Sequence, residues 1–244
     1  MKTLLIADIH SNICALEAIW KKEQDSDIIY CAGDLVDWGP FPKQVLDWVR
    51  EHRVMCVRGN HDEDVVSCYR QCGCIEDLET AELLWKHHNA MSLDEQDISF
   101  LDQLPTSADF SLDGVRYCMS HSYPINIKTG GGYGAIETHS EFISFVHQNF
   151  PMNSTEPLPR LIFGHTHRLG VHYLSDVTMW INPGSISYRR PDDQEQGAHY
   201  ITITDSRIRL KRVEYDLEPL FSEVRHLKME KSQLNWAYWA FGPR

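Results

Sequence analysis

The chain has 244 residues, 42 % hydrophobic and 24 % charged, with a formal charge of −12. Its length fits one domain, or one with a modest insert, and its composition excludes intrinsic disorder. The acid surplus argues against a protein that holds nucleic acid by bulk electrostatics, and no apolar run approaches the roughly 20 residues of a membrane span.

Residues 2–7 form a short apolar run that Asp8 and His10 end too early for an export signal, so the run reads as a buried first strand. Seven cysteines, an odd number, are scattered along the chain. With no export signal they imply free thiols in a reducing cytoplasm. Residues 12–23 carry Ile13, Leu16, Ile19 and Trp20 at helical spacing. Residues 27–32 are a second strand, 33–42 a Gly- and Pro-rich loop, 41–52 a second helix and 53–57 a Val-rich third strand. This alternation predicts an α/β fold with a parallel sheet. Residues 63–104 lack a strand pattern and read as a helical insert or lid. Cys68, Cys72 and Cys74 lie there as a tight group without a fourth zinc ligand at recognisable spacing, and His87 and His88 are expected at its surface. Asp113-Gly114 predicts a hairpin between strands 106–112 and 115–119. A glycine-rich loop (123–134), a helix (135–150) and short strands at 160–163, 171–174 and 178–181 follow. Residues 199–204 and 207–213 form a second hairpin. The tail from 215 to 244 is helical, then aromatic, and is expected to pack on the 1–214 domain or on a second subunit of a homo-oligomer.

Polar residues gather at the ends of these strands: Asp8 and His10, then Asp34 and Asp37, then Asn60 and His61, then His121, then His165 and His167. In parallel α/β sheets the carboxyl ends of strands converge on one crevice. In extended chain, residues i and i+2 point the same way, so Asp8 with His10, and His165 with His167, can each share an ion. A lone Asp-x-His or His-x-His is ordinarily a surface or capping pair. Five such fragments, each after an apolar strand, point instead to one site. An all-oxygen and nitrogen donor set suits manganese, iron or zinc better than a structural thiolate site.

The blocks Asp8-Ile9-His10, Gly33-Asp34-Leu35-Val36-Asp37-Trp38-Gly39, Gly59-Asn60-His61-Asp62, His121 and Gly164-His165-Thr166-His167 resemble those of the calcineurin-like metallophosphoesterases, all present and in order. Asn182-Pro183-Gly184-Ser185 resembles a segment of the small prokaryotic members. The resemblance implies a four-layer α/β/β/α sandwich with two central mixed sheets. It also implies two divalent transition ions, manganese first, with iron, zinc or nickel as other candidates. By block matching, Asp8, His10, Asp34 and His167 hold one ion. Asp34, Asn60, His121 and His165 hold the other. His61 is the implied acid or transition-state stabiliser, oriented by Asp37, and Asn60 also contacts substrate.

Such a pair of ions would lower the pKa of a bridging water, and the hydroxide formed would attack a small phosphodiester or phosphomonoester in line. In the protein serine/threonine phosphatases and symmetrical dinucleoside tetraphosphatases an Arg stands where this chain has Trp38. That argues against those activities. A non-catalytic metal-binding scaffold for protein interaction is the rival of another class, and retention of every ligand and of His61 argues against it. Neither nucleic acid nor membrane is an expected partner. Arg58, Arg189 and Arg190 flank the blocks, and the last two are the candidate phosphate contacts.

Overall fold

The apolar run at the N-terminus becomes β1 (Lys2–Ile6), whose side chains alternate between two cores. Leu4 and Ile6 face helices, whereas Leu5 and, just beyond, Ala7 face a second sheet. This computed structural model describes residues 1–71, 79, 83–125, 134–152, 156–188, 190–193 and 197–242. From β1 the chain runs through α1 (Ile13–Glu23), β2 (Ile28–Cys31), α2 (Pro42–Glu51) and β3 (Met55–Cys56). These strands are parallel, as the alternation predicts. Then come α3 (Asn60–Arg70), α4 (Trp85–Met91) and α5 (Glu95–Gln103), the hairpin β4 (Ser107–Leu112) and β5 (Val115–Ser120), and α6 (His139–Asn149). The rest is β6 (Arg160–Ile162), β7 (Gly170–Tyr173), β8 (Met179–Asn182), β9 (Ala198–Thr204), β10 (Arg207–Val213), α7 (Glu218–His226) and α8 (Lys231–Phe241).

Two five-stranded sheets result, ordered β10-β9-β1-β2-β3 and β4-β5-β6-β8-β7. Each is mixed: β9 joins β1 antiparallel, and β4 and β7 flank the parallel run β5-β6-β8. Leu5, Tyr30 and Ile201 of one sheet meet Tyr117, Met119 and Ile162 of the other. Leu16, Ile19, Val45 and Leu46 cover the first sheet from outside, and Phe142, Phe145 and Val146 cover the second beside Trp180. The architecture is therefore helix, sheet, sheet, helix. In the tail, Leu220, Val224, Ala237 and Phe241 bury against Trp85, with Trp38 and Tyr188 packed beside them.

One buried charge joins the first sheet to α1. Glu23 is only 2 % exposed. It accepts hydrogen bonds from Tyr200 Oη and Lys211 Nζ, both at 2.8 Å, and lies 2.7 Å from Lys2 Nζ. Burial alone would raise its pKa, but hydrogen bonds from Lys2, Lys211 and Tyr200 bring it below the ordinary carboxylate value. Glu23→Ala strands these donors and should lower the unfolding free energy by about 3 kcal/mol at pH 7 in urea titration. A depressed carboxylate stabilises fully above its unfolded pKa of ~4.3. The gap between wild type and variant should therefore narrow as pH falls below that value, through the lower folded pKa.

Candidate metal centre

The loops leaving β1, β2, β3, β5 and β6 deliver the polar blocks to one end of the two sheets. Tight turning there forces side chains into the left-handed backbone region: φ is 55° at Asp8, 47° at His10, 56° at Asp34, 63° at His165 and 58° at His167. Each such residue costs on the order of 1 kcal/mol. The loops keep this shape because they are heavily braced.

Asp62, fully buried at the start of α3, accepts backbone N–H bonds from Gly59 (2.9 Å), Asp34 (3.1 Å), Leu35 (2.8 Å) and Val36 (3.2 Å). One carboxylate thus ties the second block to the third. Asn89 of α4 does the same for the first two: its Oδ1 accepts from Ser11 Oγ (2.6 Å) and Asp37 N (3.0 Å), and its Nδ2 donates to the Gly39 carbonyl (3.1 Å). At least this part of the expected lid is a fixed support. Its neighbours His87 and His88 are half-buried, not surface residues. From the 182–187 segment, Ser185 Oγ donates to the Asp8 carbonyl (2.9 Å), and Asn182 Nδ2 donates to Gly164 O (2.7 Å). At residue 59 a Cβ would lie 2.0 Å from Asp34 Oδ1, so only glycine lets the third block close on the second.

Braced in this way, the predicted ligands form two groups. Asp8, His10 and His167 present donor atoms within 4.8 Å of one another, and so do Asp34, His121 and His165. His167 Nε2 lies 3.3 Å from Asp8 Oδ1 and 3.4 Å from His10 Nε2. His121 Nε2 lies 3.1 Å from both Asp34 Oδ2 and Asn60 Oδ1. Asp34 Oδ2 is also 3.9 Å from His10 Nε2, so this carboxylate stands between the groups. All seven residues predicted as ligands meet here.

The donor chemistry fits cations. His121 Nδ1 is 2.7 Å from the Ala32 carbonyl, where it donates, leaving Nε2 to face the carboxylate. Asp8 Oδ2 and Asp34 Oδ2 are buried without a well-formed hydrogen bond. Such atoms are costly unless a positive charge meets them. Burial drives the His10 imidazole well down and His165 to about 4, keeping both neutral and able to donate a lone pair. Burial would also lower His121, but Asp34 lifts it to about 10. The same contest raises His61 to about 9, with Asp34 first and Asp37 second among the groups favouring charge. Asp34 itself is held well below the usual carboxylate range, its burial outweighed by His121 and His61. The pocket thus favours positive charge beside Asp34.

His61 and Asp37 form the predicted couple, Nδ1 to Oδ2 at 2.7 Å. The His61 ring stands edge-on to His10, with centroids 5.0 Å apart. Arg190 is tied elsewhere: Nη1 donates to the Thr166 carbonyl (3.0 Å), and the guanidinium pairs with Asp192. It lines a cavity of about 920 Å³ beside the His165–His167 turn. Arg58 pairs with Asp102 and Glu63. Arg189, Cys72 and Cys74 lie outside the described residues, and Cys68 is buried in α3.

Sequence reasoning assigned no role to Asp62 or Asn89. Asp62 carries a local signal, an acidic residue at N3 of a helix. Asn89 carries none, because the partners through which it braces the first two blocks lie 50 to 78 residues away.

A model of the calcineurin-like phosphoesterase superfamily domain matches residues 1–206. An uncharacterized protein of Methanocaldococcus jannaschii is 26% identical over 234 residues, 90% of each chain. Among solved structures, a metallophosphoesterase from Sphaerobacter thermophilus superposes with a TM-score of 0.72 at 22% identity, covering 97% of this chain and 98% of that one. A hypothetical protein of Pyrococcus horikoshii OT3 gives 0.77 at 17%, covering 100% and 99%. Both share the two-sheet fold. With that fold and five polar blocks meeting at one end of it, the chain belongs to the calcineurin-like phosphoesterase superfamily.

Proposed function

We propose that the chain is a phosphoesterase that hydrolyses small phosphodiesters or phosphomonoesters at a pair of divalent cations, manganese in the first place. The observation that carries this reading is the Asp34 carboxylate between two histidine-rich donor groups, with the His61–Asp37 couple at their edge. Asp8, His10, Asp34 and His167 would hold one ion, and Asp34, Asn60, His121 and His165 the other. When bound, such a pair supplies Lewis acidity for the phosphoryl oxygens and lowers the pKa of coordinated water. The chain's own residues do the rest. Asn60 offers its carboxamide to the substrate phosphate. Asp37 takes the Nδ1 proton of His61 in a hydrogen bond and fixes the ring. The opposite nitrogen then gives a proton to the departing alkoxide.

Cys14, Cys31, Cys56 and Cys118 are free thiols, which suits a reducing cytoplasm. None of the described helices is long and apolar enough to cross a membrane. The test is elemental analysis of the purified protein together with a substrate panel in manganese. Two ions per chain, with turnover of small esters above that of dinucleoside polyphosphates and phosphopeptides, is the expected result. Turnover confined to phosphopeptides or dinucleotides would move the protein to those activities, and no turnover at full metal occupancy would leave a binding scaffold.

A further inference from the structure

An aromatic strip begins on the metal ligands and runs outward to the C-terminal helix. The Trp38 ring stacks on His10 at 4.3 Å between centroids, with 23° between planes, and meets the His61 ring edge-on at 4.2 Å. Tyr188 meets His167 at 4.9 Å. Both rings continue into α8: Trp236 lies 4.5 Å from Trp38, and nearly parallel to Tyr188 at 6.2 Å. Trp239, 48 % exposed, extends the strip past Tyr188 at 5.7 Å. Trp38, Tyr188 and Trp236 are each only partly buried. Packing of the tail explains their buried faces. It does not explain why four large rings line up from the ligands toward solvent.

We propose that this strip is the specificity surface of the centre, and that it selects phosphate esters carrying a planar aromatic group, an aryl ring or a nucleobase, near the ester oxygen. The inference rests on the phosphoesterase reading above. In that reading the leaving oxygen departs beside His61, and the ring next to His61 is Trp38. A group attached to that oxygen therefore meets an indole wall. Flat apolar surfaces of this kind reward a stacked ring and give little to a short alkyl chain or a second phosphate. Trp38 also touches a metal ligand, so the discriminating position is Trp236, which reaches the strip from α8 without contacting one of the seven ligands at the distances above.

The test is binding, with ligands that cannot be hydrolysed. Manganese-loaded protein is titrated with 2-naphthylmethylphosphonate and with ethylphosphonate, followed by calorimetry and by tryptophan fluorescence. Wild type should bind the naphthyl ligand at least about tenfold more tightly and show quenching with it. Trp236→Leu should reduce that preference to about threefold or less, whereas Trp236→Phe, which restores a ring, should keep most of it. Equal affinity of wild type for both phosphonates, or an unchanged ratio in Trp236→Leu, overturns the proposal. Ester hydrolysis in the same preparations separates the two readings. Turnover without ring preference sinks only the specificity claim, and absence of both turnover and phosphonate binding sinks the phosphoesterase reading with it.

Discussion

Asp34→Asn should cost the protein its metal pair and roughly 10³-fold or more of its ester hydrolysis. Asp34 is 1 % exposed, and its Oδ2 faces His121 Nε2 at 3.1 Å and His10 Nε2 at 3.9 Å. No other carboxylate reaches both donor groups among the distances described. An amide keeps the size and keeps one oxygen to accept the His61 backbone N–H, now held at 2.9 Å by Oδ1. The fold should therefore survive, as read by circular dichroism. The variant loses the negative charge that offsets two cations. A neutral carboxamide is also a far weaker bridge. Elemental analysis should find two ions per wild-type chain and at most one in the variant. Two retained ions with a near-normal rate would show that the carboxylate is not shared, and the dinuclear reading would fall.

The candidate metal donors were legible in the sequence because each comes in a short block after an apolar strand, and block order survives folding. Asp8 and His10, paired by spacing, fall in one donor group, whereas His165 and His167, expected to share an ion, fall in different groups: that expectation assumed extended chain, and their backbone is left-handed. Of the architecture, the parallel strands were legible in the strand–helix alternation of residues 2–57. The four layers came from the family resemblance, and it is the fold that sets Leu4 and Ile6 against helices and Leu5 and Ala7 against a second sheet. What shapes the centre was not legible. Asn89 has partners at Ser11, Asp37 and Gly39 that only the tertiary fold creates. Trp38 was visible as a departure from related blocks, yet its stacking on His10 and its contact with Trp236, almost 200 residues later, depend on where α8 docks. Arg190 shows the converse error risk. Its position after a site loop suggested phosphate, but its fork is engaged by Asp192 and the Thr166 carbonyl. Local spacing reports which atoms can bind. It does not report what holds them or what stands beside them.

His61→Ala separates a proton donor from a bystander, because its effect should depend on the leaving group. The His61 side chain is 15 % exposed and fixed by Asp37 at 2.7 Å, leaving its other nitrogen for the substrate. An alkoxide is a poor leaving group unless protonated as the bond breaks, and general acid catalysis supplies about 10²- to 10⁴-fold. An alkyl phosphate ester should therefore lose turnover by that amount in the variant. p-Nitrophenolate is stable without a proton at neutral pH, so the same substitution should cost a p-nitrophenyl ester less than about tenfold. Metal content should stay at the wild-type level, since His61 lies outside both donor groups. Asp37→Asn should show the same dependence in weaker form, because it disturbs the orientation and charge of the ring but leaves the ring in place. An equal loss on both esters would make His61 a stabiliser of charge on the phosphoryl group and not a proton donor. No loss on either would mean that the donor groups bind metal without the chemistry proposed for them.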